Sequence, residues 1–214
     1  MIHLGRALLL AVVAMLVPGC IHLEQQIKVY GNGSAVITYE YSVAEETFGT
    51  TATGRLAIQR WQGNTQGGLD WFASEKAVNE FFAGDDFEVQ LYRVSRKGGR
   101  RHVRVVLLVQ DLSKALATGK LGDLRVETTP EGNWRLFDPT PQPAGEKLTT
   151  AEVEKLRALC DDLWLRLTIQ TPGKVVSTTA PAKDDREVTW SFDAGTDDSF
   201  LRERPRIEVV FAPK

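Results

Sequence analysis

Histidine and cysteine are scarce in this chain, three of the first and two of the second among 214 residues, and that scarcity excludes most catalytic and metal chemistry at the outset. Zinc sites draw on several Cys or His ligands, which this supply does not furnish. Outside the N-terminal apolar segment only His22 and His102 remain, so no Ser-His-Asp triad can be assembled, and no nucleophile elbow is written in the sequence. We expect no catalytic residues, no metal and no cofactor. Basic residues are not in excess either: the formal net charge is −2, which gives no support to nucleic-acid binding. No apolar run is long enough to span a bilayer, which takes about 20 residues; the longest is Ala7 to Val17. No internal repeat is visible. With 43% hydrophobic and 25% charged residues, the composition is that of an ordinary globular protein, and disorder is not expected.

What is present begins at the N-terminus. Arg6 precedes the apolar run, and a small residue and a cysteine close it, the layout of a removable export signal. Leu16-Val17-Pro18-Gly19-Cys20 resembles the lipobox of bacterial lipoproteins, in which an aliphatic residue, two small residues and cysteine mark the cut of lipoprotein signal peptidase. Pro18 departs from it, standing where Ala, Ser or Thr is usual. The resemblance implies that residues 1–19 are a signal peptide. It also implies that Cys20 carries a diacylglycerol on its sulfur and a further acyl chain, such as palmitate, on its amine. At about 0.8 kcal/mol per buried methylene, two or three chains anchor stably. Ile21 after the cysteine, rather than Asp, implies the periplasmic side of the outer membrane over the inner membrane in a Gram-negative source. Removing residues 1–19 leaves 195 residues with 25 basic and 28 acidic side chains, a formal −3, and residues 20–214 read as one α+β envelope domain. If Cys20 is acylated, Cys160 has no disulfide partner, and its place beside Leu159 and ahead of Asp161-Asp162 marks a buried apolar residue rather than a reactive thiol.

Strand-like alternation starts directly after Cys20. Leu23, Gln25, Ile27 and Val29 share one face, Gly31-Asn32-Gly33-Ser34 supplies a hairpin turn, and Ala35 to Val43 returns with Ile37, Tyr39 and Tyr41. With no linker, the domain is expected within roughly 15 Å of the headgroups. Residues 45–68 are rich in Thr, Gly and Gln, with a weak helical tendency over 55–61. Ser74 caps a predicted helix to about Ala83, its apolar side carrying Ala77, Val78, Phe81 and Phe82. Phe87, Val89 and Leu91 alternate as a strand, and the chain turns at Gly98-Gly99. His102 to Gln110 returns with apolar residues on both faces, so a central strand covered on both sides is expected. Asp111 opens a short helix; strands follow over 124–128 and 134–137. Thr149-Thr150-Ala151-Glu152 is a capping box ahead of a helix to about Asp161. Strands are expected over 163–169, 175–179, 188–192 and 207–211. The pattern is α+β, a mostly antiparallel sheet of hairpins with a few short helices packed on it.

Two side-chain groups outside the core pattern bear on function. Arg96, Lys97, Arg100 and Arg101 crowd the Gly98-Gly99 turn, where they can bind anionic headgroups or serve as a solvated tip that discourages edge pairing. Trp164 lies on the polar face of its strand, opposite Leu163 and Leu165, so it packs under another element, lines a groove or sits at headgroup level. The remaining aromatics, including Trp61, Trp71, Phe72, Trp134 and Trp190, read as core. Four aspartate pairs, at 85–86, 161–162, 184–185 and 197–198, stand at turns, where Asp hydrogen-bonds its own backbone.

Near the end, Thr171-Pro172-Gly173-Lys174-Val175-Val176 and Val188-Thr189-Trp190-Ser191-Phe192 resemble the closing part of the LppM-type lipoprotein domain, and the cysteine leading directly into a hairpin fits too. The resemblance covers mainly the two ends of the chain and departs at Thr178-Thr179-Ala180-Pro181. It implies an α+β envelope domain suspected of lipid or glycolipid binding and brings no catalytic residues. The expectation is therefore a non-enzymatic, membrane-anchored lipoprotein binding a lipid or glycolipid-like ligand next to the bilayer. The alternative is a structural lipoprotein that recruits another envelope protein.

Overall fold

The computed structural model describes residues 21–44, 70–84, 86–139, 149–151, 153–154, 163–197, 199–202 and 205–213. The expected signal segment, Cys20, the tendency over 55–61, Trp61 and Cys160 with its Asp161-Asp162 neighbours lie outside them. No helix among the described residues is long and apolar enough to cross a membrane.

Among the described residues eleven strands form two sheets. The larger contains β1 (Ile21–Val29), β2 (Ala35–Ala44), β3 (Phe87–Lys97), β4 (Arg100–Val109), β7 (Trp164–Gln170), β9 (Ala182–Lys183) and β10 (Glu187–Asp193), in the order β3-β4-β2-β1-β7-β10-β9. The smaller contains β5 (Arg125–Thr128), β6 (Trp134–Phe137), β8 (Val175–Thr178) and β11 (Glu208–Phe211), in the order β5-β6-β11-β8. All strand pairs are antiparallel except β1 with β7. A 3-10 turn (Asp70–Ala73) and the helices α1 (Glu75–Phe81), α2 (Leu112–Ala117) and α3 (Ser199–Arg202) are the helical elements bounded within the described residues of this α+β fold.

The local grammar follows the residues. Gly33 takes φ 85° in the first turn, where Tyr30 and Ser34 close the hairpin, and Asn32 Oδ1 accepts from the Ser34 N–H at 3.1 Å. Gly98 and Gly99 both take positive φ, as a two-residue hairpin turn following the strand twist requires. Ser74 Oγ accepts the Ala77 N–H at 3.1 Å and Asp111 Oδ1 the Lys114 N–H at 3.1 Å, so both helices start on side-chain caps. The Val153 N–H donates to Thr149 O at 3.0 Å, the first turn of the expected capping-box helix.

Alternation then builds the core. Leu23, Ile27, Ile37, Val105, Leu107, Leu165 and Ile169 face inward and are buried, and Val78 of α1, Phe82 at its C-terminal cap, and Leu112, Ala115 and Leu116 of α2 join them in one cluster. Leu136, Val209 and Phe211 of the smaller sheet join the same cluster. Gln25 is the polar exception: it is buried, and its Nε2 donates to Tyr39 Oη at 3.0 Å. Burial pushes the Tyr39 phenol well above its ordinary value, so it stays protonated.

Two strand expectations need correction. Leu91 does not continue the inward face of Phe87 and Val89, because a register shift between Val89 and Leu91 inserts one residue; Tyr92 and Val94 turn inward instead, leaving Leu91 40% exposed. β4 is flanked on both edges, but its cover is complete only on the inner face: Val106 and Leu108 on the outer face are half-buried.

The chain changes sheets at Pro172-Gly173. Thr171 Oγ1 donates to Gly173 O at 2.7 Å, and the Ala212 N–H to Lys174 O at 2.9 Å, so the corner is clamped to the last strand. A methyl on Gly173 would overlap the Ala212 carbonyl. We expect Gly173→Ala to lower stability by about 2 kcal/mol in urea denaturation, the cost of overpacking against backbone; unchanged stability would show that the corner is slack.

In the smaller sheet Arg135 bridges three strands, donating to Glu127 at 2.9 Å and Glu208 at 3.0 Å, while Arg206 reaches Glu208 at 2.6 Å. The Arg135 guanidinium first, and Arg206 after it, hold the Glu208 carboxyl below its ordinary 4.5. A depressed carboxyl pKa contributes stability above the unfolded value and loses it as pH falls through the folded one. Glu208→Gln should therefore cost about 1 kcal/mol at neutral pH. The difference from the parent should vanish in denaturation curves taken well below 4.5.

Candidate functional site

Strand register decides what lies near the start of β1. Ile21, the residue after Cys20, pairs with Val43; Val43 pairs with Arg101, and Arg101 with Arg96. At about 4.8 Å per strand, the β3–β4 turn is about 14 Å from Ile21 along the same edge of the sheet. β7 runs parallel to β1 and starts at that edge too, with Trp164 opposite His22.

The next row, on the outer face, reads Ser95, His102, Ser42, His22, Trp164 and Asp193 across six strands. Behind it runs a charged row: Arg93, Arg104, Glu40, Glu24 and Arg166. Between them lies a groove of about 480 Å³, open to solvent, with Trp164 and His22 at one side and Arg93, Arg100 and Arg104 toward the other. Trp164 is half-buried; His22 meets it edge-on at 6.0 Å and 65°, and the Arg166 guanidinium lies over it at 4.8 Å. Arg104 Nε is 3.5 Å from Glu40 Oε1, with both side chains about half exposed, so that pair contributes only a few tenths of a kcal/mol.

The four basic residues of the turn divide into two pairs. Arg100 donates from Nε to Ser42 Oγ at 2.8 Å and from Nη2 to Ser42 O at 3.1 Å, bracing β4 against the end of β2. Arg101 turns to the inner face, where its Nη2 donates to Ala73 O at 2.8 Å and Tyr92 Oη at 3.2 Å. Arg96 and Lys97 stand exposed at the tip.

Sequence reasoning missed the groove because its residues come from five strands, and it set aside His22 and His102, which pairing brings to either side of Ser42. Trp164 is the one side chain whose position on a polar face pointed there. Among the aromatics assigned to the core, Phe72 and Trp190 are buried and Trp134 is half-buried. Of the aspartate pairs, Asp184 and Asp197 serve turns: Asp184 Oδ1 accepts the Asp185 N–H at 2.7 Å, and Asp197 Oδ1 the Ser199 N–H at 2.9 Å. Among the described residues no group of three or more His, Cys, Asp or Glu side chains gathers to hold a metal ion.

No family model matches the chain, and no curated protein matches it. Among solved structures it is similar to the NMR structure of the folded domain of Mycobacterium tuberculosis LppM, at 10% identity over 90% of each chain and a TM-score of 0.48.

The divided basic cluster gives a test of its own. Arg100→Met should cost about 1–2 kcal/mol through the lost Ser42 bonds, whereas Lys97→Ser should stay within about 0.5 kcal/mol of the parent by thermal or urea unfolding. Equal effects would mean that the tip is structural throughout.

Proposed function

We propose that this chain is a non-enzymatic bacterial envelope lipoprotein, acylated at Cys20, whose domain binds a lipid or glycolipid-like molecule beside its own membrane. One observation carries the reading: the start of β1, the exposed Arg96-Lys97 tip and the Trp164 groove share one edge of the sheet. A strand that opens at Ile21 leaves no tether, so an anchor at Cys20 presents that edge to the headgroups. Near an anionic surface each exposed basic residue adds about 1 kcal/mol, and an indole backed by a guanidinium suits the headgroup level. The groove's lining of Ser, His, Arg and Glu suits a polar headgroup rather than an acyl tail, which would leave those groups unpaired. The sorting rule that favours the outer membrane's periplasmic side completes the proposal.

One observation favours the alternative, recruitment of another envelope protein. Leu91 is exposed on the edge strand β3 beside half-buried Val106, a small apolar patch facing away from the core.

Two measurements on the full chain, produced in a bacterial host, test this. Labelled palmitate should enter the protein and be lost in Cys20→Ser; a parent chain that takes no label removes the anchor. Native mass spectrometry from detergent should show a co-purifying lipid that is depleted in the double variant Arg96→Ser, Lys97→Ser. A lipid-free mass overturns lipid binding, and a protein adduct selects the alternative.

A further inference from the structure

A second cavity lies at the other end of the sheet, about 27 Å along β1 from Ile21. The β1–β2 turn, the junction between β4 and α2, and the β5–β6 hairpin line an open cavity of about 300 Å³, the lower end of the range for ligand pockets. Trp134 forms one wall. Its half-buried indole meets Phe211 edge-on at 5.9 Å and lies 4.0 Å from where a side chain on Gly33 would begin. The Leu112 N–H donates to Gly33 O at 2.9 Å, so the turn and the helix start are joined through backbone. The walls are thus set before anything enters.

The rim is polar, and none of the residues lining the cavity is basic. Asn32 and Gln110 bring amides, and Ser113 and Thr128 bring hydroxyls. Two carboxylates complete it, each ion-paired from behind: Asp111 with Lys114, whose N–H donates to Oδ1 at 3.1 Å and whose Nζ lies 3.5 Å from Oδ2, and Glu127 with Arg135 at 2.9 Å. Such a lining puts no basic residue against a phosphate or carboxylate ligand. An acyl chain would strip water from amides and hydroxyls without replacing it, at a cost of about 1–3 kcal/mol per group. A flat ring with an apolar C–H face and hydroxyls around its edge suits both features, the indole meeting the face and the amides and carboxylates the hydroxyls.

We propose that this cavity binds one ring of a neutral saccharide. The proposal goes beyond the lipoprotein reading and does not depend on it, because the cavity is built from folded residues far from Cys20. Two sources share this chemistry, a cell-wall glycan and the sugar of a glycolipid.

The test uses the full chain in a detergent that contains no sugar. Saturation-transfer NMR is run against neutral oligosaccharides of glucose, mannose, galactose and N-acetylglucosamine. Ring protons of at least one should receive saturation, with affinity about tenfold weaker in the double variant Gln110→Ala, Thr128→Ala, whose side chains are exposed, and lost in Trp134→Ala. If Trp134→Ala unfolds, Trp134→Phe keeps the packing and should retain partial binding. Co-sedimentation with purified peptidoglycan, against vesicles carrying a neutral glycolipid, identifies the source. No transfer from any sugar, or transfer that the variants leave unchanged, overturns the proposal. Cys20→Ser should bind sugar as the parent does, which separates this outcome from the fate of the anchor.

Discussion

The architecture depends on one strand being held on both sides. β1 pairs with β2 over nine residues and with β7 over seven, and it leaves its odd-numbered positions, Ile21 to Val29, buried. A slip of one residue on either side would turn Leu23 and Ile27 to solvent and carry Glu24 and Lys28 into the core. The buried Gln25–Tyr39 hydrogen bond helps to pin the β1–β2 register, since a shifted pairing would separate the amide from its phenol inside an apolar layer. The neighbour relations of β1 on the outer face follow from that register, including His22 against Trp164 on one side and Ser42 on the other.

The two ends of β1 are chemically unlike. At the Ile21 end, arginines and histidines outnumber the acids, and the aromatic ring is covered by a guanidinium. At the Val29 end, the surface is acidic and amide-rich around an indole. A sheet nine residues deep thus separates a lining with three arginines and two histidines from one with no basic residue. At both ends the polar groups are positioned by strand pairing and turn geometry.

Much of the fold was legible because local rules decide it. The Gly33 and Gly98-Gly99 turns, the Ser74 and Asp111 caps and the alternation of Leu165, Leu167 and Ile169 all follow from backbone sterics and period. What was illegible depends on contacts between distant segments. Nothing near Trp164 announces that β7 will run parallel to β1, and nothing near Gly173 announces the Ala212 carbonyl that forbids a side chain there. The residue inserted before Leu91 shows only in the register with β4, because Phe87-Glu88-Val89-Gln90-Leu91 alternates correctly as written. Of the candidate site, the basic turn was visible as a charge run, but the division between the bracing Arg100 and Arg101 and the exposed Arg96 and Lys97 required knowing that Ser42 and Ala73 arrive beside it. The short strand β9 carries no apolar period at all.

The parallel pairing of β1 with β7 also sets an order of events. β1 precedes β7 in the chain by more than a hundred residues, so during synthesis it can find β2 but not β7 until the chain has been made through Gln170. Closing so long a loop is entropically expensive and slows the search for partners. In the interval the β7 side of β1 is an unpaired edge carrying the inward side chains of Leu23 and Ile27, a template for mispairing. The sheet therefore closes only after β7 has been made, and a chain truncated before β7 would hold β3-β4-β2-β1 without the strands on the other side of β1.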